Sequence, residues 1–365
     1  MSARSSHHRK ILGEGTFGLV KNVDGKARKT FTRGHLDEMI QEVVVTKYMN
    51  DSPYTVKMLD YSLELLTMDT QLWDTSLKDV MERRTRDMFT FEEKKSIFRQ
   101  LLIGLTHLHT RLIIHSDFKP SNILINIKEV KVCICDMGLS STTKYAKVDQ
   151  TARAYSHKVV VPYTVHDMFG LAMTMTEFLG DFKIVRSVSP TRLRYHIRQH
   201  ITDPKIQEVL LAMSPNDPLK AITAKQALEK LFGKTDEAEI IIPEAKSFPS
   251  KIDERDLSWI KKEFSDAMEM ARINRDGRCF FAFFIYVNNP NNPHVPPEDY
   301  TLYMEAFMIL FSSVFGEFGY GIEAAKMGLS NKRTEREIYQ ALRNVLSDDN
   351  VINFIMMPDF RKPEF

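Results

Sequence analysis

Within the six residues Asp117-Phe118-Lys119-Pro120-Ser121-Asn122 the chain sets a carboxylate, an ammonium and an amide side by side. Fourteen residues after Asn122 comes a second acid, in Asp136-Met137-Gly138. Between them, Ile123 to Ile127 and Val130 to Cys135 read as a small strand pair. This set supplies a base, a partner for phosphate and two metal ligands, the parts that phosphoryl transfer uses.

A second group of residues upstream has the same character. Gly13-Glu14-Gly15-Thr16-Phe17-Gly18-Leu19-Val20 has glycines at its first, third and sixth positions, where backbone N–H groups can approach phosphate with no Cβ in the way. Alone this motif is weak, and a plain glycine-rich hairpin is the competing reading. Ala27-Arg28-Lys29 follows on the next strand pattern, where the lysine could reach phosphates. Glu42 lies thirteen residues further on, in a helical insert with apolar positions Leu36, Met39, Ile40, Val43 and Tyr48. The ordered set is hard to obtain by chance.

At 365 residues the chain exceeds one ordinary core, so two or three domains are expected. A net charge of +2 provides no global basic field and argues against nucleic-acid binding. Arg83-Arg84 and Lys94-Lys95 read as solvated helix faces. Three cysteines, Cys133, Cys135 and Cys279, are too few for a disulfide framework or a zinc site and read as small buried hydrophobes. Met1 to Lys10 is polar and basic, and the most apolar run, Cys279 to Val287, is far short of the ~20 residues that span a bilayer. An intracellular, soluble protein without a membrane partner is expected. Helical patterns dominate from about 76 to 232, including Glu92 to His109, Val165 to Leu179 and Thr223 to Phe232, the last capped by Thr223.

Residues 10 to 232 resemble a eukaryotic protein kinase, and within that superfamily a cyclin-dependent kinase. GEGTFGLV is similar to that family's glycine loop, and GHLDEMIQEV at 34–43 to its cyclin-contacting helix. YTVHDMFGLAMTMTEFLG at 163–180 resembles its central buried helix, and NDPLKAITAKQALEKLF at 216–232 its closing motif. The resemblance implies an α+β, bilobal fold: a tail (1–9), a small β-rich lobe (10–72), a helical lobe (73–232), a linker (233–252) and an all-α domain (253–365). It implies a serine/threonine kinase using ATP and Mg²⁺, acting on protein substrates in the nucleus or cytoplasm. Asp117 would orient the substrate hydroxyl, Lys119 would stabilise the transferred group, and Asn122 and Asp136 would hold magnesium. Lys29, aimed by Glu42, would position ATP beneath Leu12, Gly13, Gly15, Gly18, Val20 and Ala27. Met68 falls at the gatekeeper position, with Asp69 to Gln71 as the hinge that hydrogen-bonds adenine. Asp167 would brace the catalytic loop. A fold kept without chemistry, serving as a scaffold for a cyclin or a cell-cycle regulator, is the competing reading.

Several departures from the family pattern concern regulation. Ser116 stands where the family has the arginine that grips a phosphorylated activation loop. Activity should therefore not depend on that phosphate. Lys144 falls near the activating threonine, Ala154-Tyr155-Ser156 replaces Ala-Pro-Glu, and Phe17 replaces an inhibitory tyrosine. Met137 takes the place of the family's phenylalanine.

The C-terminal stretches 278–287, 300–315, 321–334 and 334–346 resemble the first four helices of a cyclin box in order and spacing, with Lys332 matching a kinase-contacting lysine and Leu342 at the usual glutamate position. The competing readings are an unrelated helical domain and a substrate-recruiting one. A built-in cyclin-like domain would replace an external cyclin, and with the divergence of the loops it points to a virus-encoded, cell-cycle-type kinase.

Overall fold

The computed structural model describes residues 11–83, 88–142, 164–184, 188–246, 283, 286, 300–315 and 334–357. Five antiparallel strands form the first layer: β1 (Ile11–Gly15), β2 (Gly18–Val23), β3 (Lys26–Phe31), β4 (Met58–Ser62) and β5 (Thr67–Gln71). Their spatial order is β1-β2-β3-β5-β4. The register builds one row across four strands, with Gly13 opposite Val20, Val20 opposite Lys29 and Lys29 opposite Met68. Directly opposed residues share a face, so the row looks one way, and Ala27 and Thr70, two positions along, look the same way. Gly18 is dictated by contact: a Cβ there would stand 2.1 Å from the Thr30 carbonyl oxygen.

Helix α1 (Leu36–Tyr48) joins β3 to β4. Its run Val43-Val44-Val45 is a poor helix former in isolation, yet all three side chains are fully buried, so packing decides the conformation.

The second lobe holds β6 (Thr75–Ser76), α2 (Leu77–Glu82), α3 (Phe91–Thr110), β7 (Ile123–Asn126) and β8 (Lys131–Ile134). Strands β6, β7 and β8 form a three-stranded sheet. Four helices follow: α4 (Val165–Gly180), α5 (Pro190–His200), α6 (Pro204–Met213) and α7 (Ala224–Phe232). Every residue of α4 from His166 to Phe178 is buried, which makes it the lobe's central post. Capping boxes start α3 (Thr90 with Glu93) and α7 (Thr223 with Gln226).

Residues 233–246, expected to be part of a linker, are anchored as a strap. Glu237 accepts from Tyr54 at 2.5 Å and from Arg99 at 3.1 Å, and its carbonyl meets His107 Nε2 at 2.7 Å. Arg111, with no exposed surface, donates to the carbonyl of Tyr48 at the end of α1, to both oxygens of Asp51, and to the carbonyl of Ile241 at 2.7 Å. A buried guanidinium persists only where acceptors surround it, and the strap supplies one of them.

Three C-terminal helices complete the described chain: α8 (Tyr300–Phe315), α9 (Glu335–Ser347) and α10 (Asp349–Ile355). Residues 302–314 of α8 are all buried, as its almost wholly apolar sequence requires, and α8 packs against both α1 and α9. Phe283 stacks on Phe307 with centroids 4.0 Å apart. Leu342, at the position where the resemblance expects glutamate, is fully buried. Apart from Phe283 and Tyr286, which are helical, and Thr334, which caps α9, the expected helices at 278–287 and 321–334 lie outside the described residues, as does Lys332. Among the described residues no helix is long and apolar enough to cross a membrane.

Candidate active site

Two backbone segments converge on one place. The loop before β7 carries His115 to Asn122, and the chain leaving β8 carries Asp136. Because Cys135 N–H donates to the Asn122 carbonyl at 3.0 Å, the two strand ends bring Asn122 and Asp136 together. The loop is fixed from below by Asp167 on α4. This fully buried carboxylate accepts from the His115 N–H at 2.8 Å, the Ser116 N–H at 2.9 Å and His109 Nε2 at 2.9 Å. Burial opposes its charge, but the His109 hydrogen bond leads the effects that hold Asp167 below the usual carboxylate range. Ser116 and Asp136 adopt left-handed backbone at φ +65 and +64. Such a conformation costs a non-glycine residue on the order of 1–2 kcal/mol, which the Asp167 bonds help to offset at Ser116. Gly170 makes the approach of α4 possible, since a Cβ there would lie 2.5 Å from the Phe118 carbonyl oxygen.

His115 Nε2 meets the Cys135 carbonyl at 2.8 Å, and its Nδ1 accepts from the Asp117 N–H at 3.3 Å. Those partners assign the neutral tautomer protonated on Nε2. Asp117 is aimed by two neighbours: Lys119 Nζ donates to its Oδ2 at 2.6 Å, and Asn122 Nδ2 donates to the same oxygen at 3.0 Å. Its other oxygen, Oδ1, is buried and has no partner among the described residues. A buried acceptor of this kind is positioned to take a proton or a hydroxyl hydrogen bond from outside.

Across the cleft, Lys29 Nζ donates to Glu42 Oε2 at 2.6 Å and to Asp136 Oδ1 at 2.9 Å. Burial alone would lower this ammonium, but the two carboxylates outweigh it and hold Lys29 above its ordinary value. Burial likewise works against charge on Asp136, and Lys29 brings that carboxyl below its usual range. Glu42 is the most enclosed of the three, and burial pushes its carboxyl up to about 7 despite the attraction of Lys29. Gly138 leaves room for it: a Cβ there would sit 3.1 Å from Glu42 Oε2.

The row Gly13–Val20–Lys29–Met68 places the glycine loop, the lysine and the gatekeeper position on one face of the first sheet. Ala27 is buried beside them and Val20 is half-buried, whereas Leu12 is exposed. Cβ atoms on Gly13 or Gly15 would meet nothing within 4 Å, so the loop leaves open space above the sheet. The expected hinge needs correction. Asp69 turns to the other face, where Arg28 grips it at 2.6 and 2.7 Å, so only its main chain could meet a base. The Gln71 N–H donates to the Lys57 carbonyl at 3.0 Å because strand pairing continues through it, and it is not available to adenine.

Contacts that the sequence did not announce tie this site to the C-terminal helices. The side chain of Gln41 on α1 donates to the Ser140 carbonyl. Ile114 and Ser141 exchange backbone hydrogen bonds at 2.9 and 2.8 Å, fixing the segment that leaves Asp136. Thr142 Oγ1 donates to the Val314 carbonyl of α8 at 2.8 Å, and Ser313 Oγ donates to Asp37 on α1 at 2.9 Å. Lys144, Ala154, Tyr155 and Ser156 lie outside the described residues.

Residues 6–234 match the protein kinase domain family, which covers more than half of the chain and the whole of the site just described. The chain belongs to the protein kinase family. The chain is 34 % identical over 150 residues to a protein of Acanthamoeba polyphaga mimivirus that carries the name of a serine/threonine-protein kinase; the match covers 36 % of this chain and 27 % of the relative. It is 31 % identical over 141 residues to the cell division control protein 2 homolog 2 of Trypanosoma brucei brucei, covering 35 % of this chain and 40 % of the relative. The serine/threonine-protein kinase MRK1 homolog of Encephalitozoon cuniculi is 26 % identical over 271 residues, covering 61 % of this chain and 84 % of the relative. The kinase thus spans well under half the length of the first two.

Proposed function

We propose that this kinase is an active serine/threonine protein kinase, acting inside the cell, that transfers the γ-phosphate of ATP to protein hydroxyls. The observation that carries the reading is Lys29, held at once by Glu42 and Asp136 across from the unpartnered Oδ1 of Asp117. The site also suits the cofactor: the carboxylate of Asp136 and the amide oxygen of Asn122 are hard oxygen donors of the kind Mg²⁺ selects. Mg·ATP supplies the phosphoryl group and neutralises charge on its β and γ phosphates. The protein's own residues do the rest. Lys29 would orient the phosphates from its ion pairs, and the glycine loop leaves open space for them at Gly13 and Gly15. Asp117 Oδ1 accepts the hydrogen of the substrate hydroxyl, and Lys119 brings positive charge beside the transferred group. Lys119-Pro120-Ser121-Asn122 has the form found in serine/threonine-specific members of the family.

We further propose a cyclin-dependent-kinase-like specificity and activation in cis, in which the C-terminal helices take the part of an external cyclin. Supporting this, α8 packs on α1, the helix that presents Glu42, and Ser313 bonds Asp37 near the start of that helix. A tethered activator acts at an effective concentration of about millimolar, so the pair would be constitutively assembled.

The test is transfer of radiolabelled phosphate from Mg·ATP to a generic protein substrate by the full chain and by Asp136→Asn. Transfer that disappears in the variant supports the enzyme; absence of transfer from the wild type, or equal transfer by both, favours the scaffold.

A further inference from the structure

Helix α5 carries Arg192, Arg194, His196, Arg198 and His200 and no acidic residue. Leu193 and Ile197 bury its inner face. Arg194 serves the fold, donating to the carbonyls of Leu211 and Ser214 at the end of α6, at 2.6 and 3.4 Å. Arg192 and Arg198 do not. Both are exposed, and neither side chain forms an ion pair or hydrogen bond with a described residue.

Steps of three residues keep 192, 195 and 198 on one side of a helix. Between the two arginines stands Tyr195, 59 % exposed, one of the largest open aromatic surfaces on the kinase domain. The positive field is felt nearby. After burial, Arg198 is the next cause holding Arg194 below its ordinary value, and His200 and Arg192 act in the same way on His196. Scattered solvated arginines need no explanation, but here two guanidinium groups without an ionic partner among the described residues flank a bare tyrosine on one helix face. Tyrosine and arginine together are the side chains most often found at the energetic centre of protein contacts.

The choice of occupant follows from charge and shape. A nucleic acid would need a broad basic field, and the chain's net charge is only +2. A bilayer would need apolar side chains on the outer face, and α5 turns its leucine and isoleucine inward. We propose that the outer face of α5 docks an acidic, extended protein segment, with Arg192 and Arg198 gripping carboxylates and Tyr195 packing between them. Guanidinium groups favour this because they bind carboxylates in two-point fashion. Docking requires no turnover, so it stands apart from the phosphoryl-transfer reading.

Fluorescence anisotropy with the full chain and a labelled oligoglutamate peptide tests it, with an uncharged oligoserine peptide as the reference. The peptide should bind the wild type and Asp136→Asn alike, which separates docking from catalysis. The Arg192→Gln/Arg198→Gln double variant should bind it on the order of tenfold more weakly, as the loss of two exposed charge pairs implies. Its thermal melting should be unchanged, because Arg194 is intact, and Tyr195→Ala should weaken binding by itself. Equal affinity of wild type and double variant, no preference for oligoglutamate over oligoserine, or stronger competition by a DNA duplex or phosphatidylserine vesicles than by free peptide would each overturn the proposal.

Discussion

Lys47 Nζ donates to the Leu346 carbonyl at 2.8 Å, joining the last turn of the helix that carries Glu42 to the last turn of α9. The same ammonium meets Asp349 at 2.8 Å. At the other end of α1, Asp37 accepts from Ser313. The helix is thus held at both ends by C-terminal elements, and Glu42 lies between the two fixed points.

If that grip sets the position of Glu42, the Lys47→Ala/Ser313→Ala double variant should lose kcat/KM on the order of tenfold, a typical coupling between sites. Hydrogen exchange in α1 should speed up in the same protein. Unaltered exchange with unaltered kinetics would mean that α1 needs no help from α8 and α9.

Asp117 should be the residue whose loss is felt in the chemical step. Asp117→Asn keeps the shape but weakens the acceptor, and kcat should fall by roughly 10²–10⁴ with little change in the KM for ATP. A change confined to KM would assign Asp117 to binding.

The Glu42 carboxyl, raised to about 7 by burial, gives a pH dependence with opposite signs for activity and stability. Activity needs the ionised form, so kcat/KM should fall as the pH drops through about 7, and Glu42→Gln should lack that limb. Stability runs the other way. A folded-state carboxyl above its ordinary value favours the folded protein at lower pH, and that contribution is lost as pH rises through about 7. Melting temperatures of wild type and Glu42→Gln across this range check the second sign.

Asp167 tests the bracing of the catalytic loop. Asp167→Ala would leave two backbone N–H groups and His109 without their buried acceptor, and should destabilise the domain by about 3–5 kcal/mol in urea unfolding. Asp167→Asn retains one accepting oxygen and should lose less. Its kcat should still drop, because the left-handed turn at Ser116 depends on those bonds.

Ser116 makes a regulatory prediction. With no arginine there to meet a phosphate, phosphatase treatment of the purified kinase should leave kcat/KM unchanged. A large loss after treatment would show that another cation, outside Ser116, does that work.

The parts of this site legible in the sequence are those whose chemistry is local. Asp117, Lys119, Asn122 and Asp136 lie in short motifs, and the three-residue offsets at Thr223 and Gln226 announce a helix start by themselves. Lys29 and Glu42 could be paired because strand and helix periodicities put them on successive elements. What could not be read depends on contacts between distant segments. The outward turn of Asp69 is set by Arg28 on a neighbouring strand, and the commitment of the Gln71 N–H by the Lys57 carbonyl just before β4. Gly170 looks like an ordinary helix glycine until the Phe118 carbonyl is seen 2.5 Å from where its Cβ would be. The composition of 233–246 is that of a linker, and only the buried acceptors offered to Arg111 and His107 make it a strap.

The contact between Lys47 and Leu346 also bears on how the molecule comes to be made. Lys47 and Leu346 are separated by 299 residues, so the contact that steadies α1 closes one of the longest loops the chain allows. Loop closure over such a span is slow and is settled only after the intervening segments have their shape. The helix that carries Glu42 therefore reaches its final setting only after synthesis has run 299 residues past Lys47.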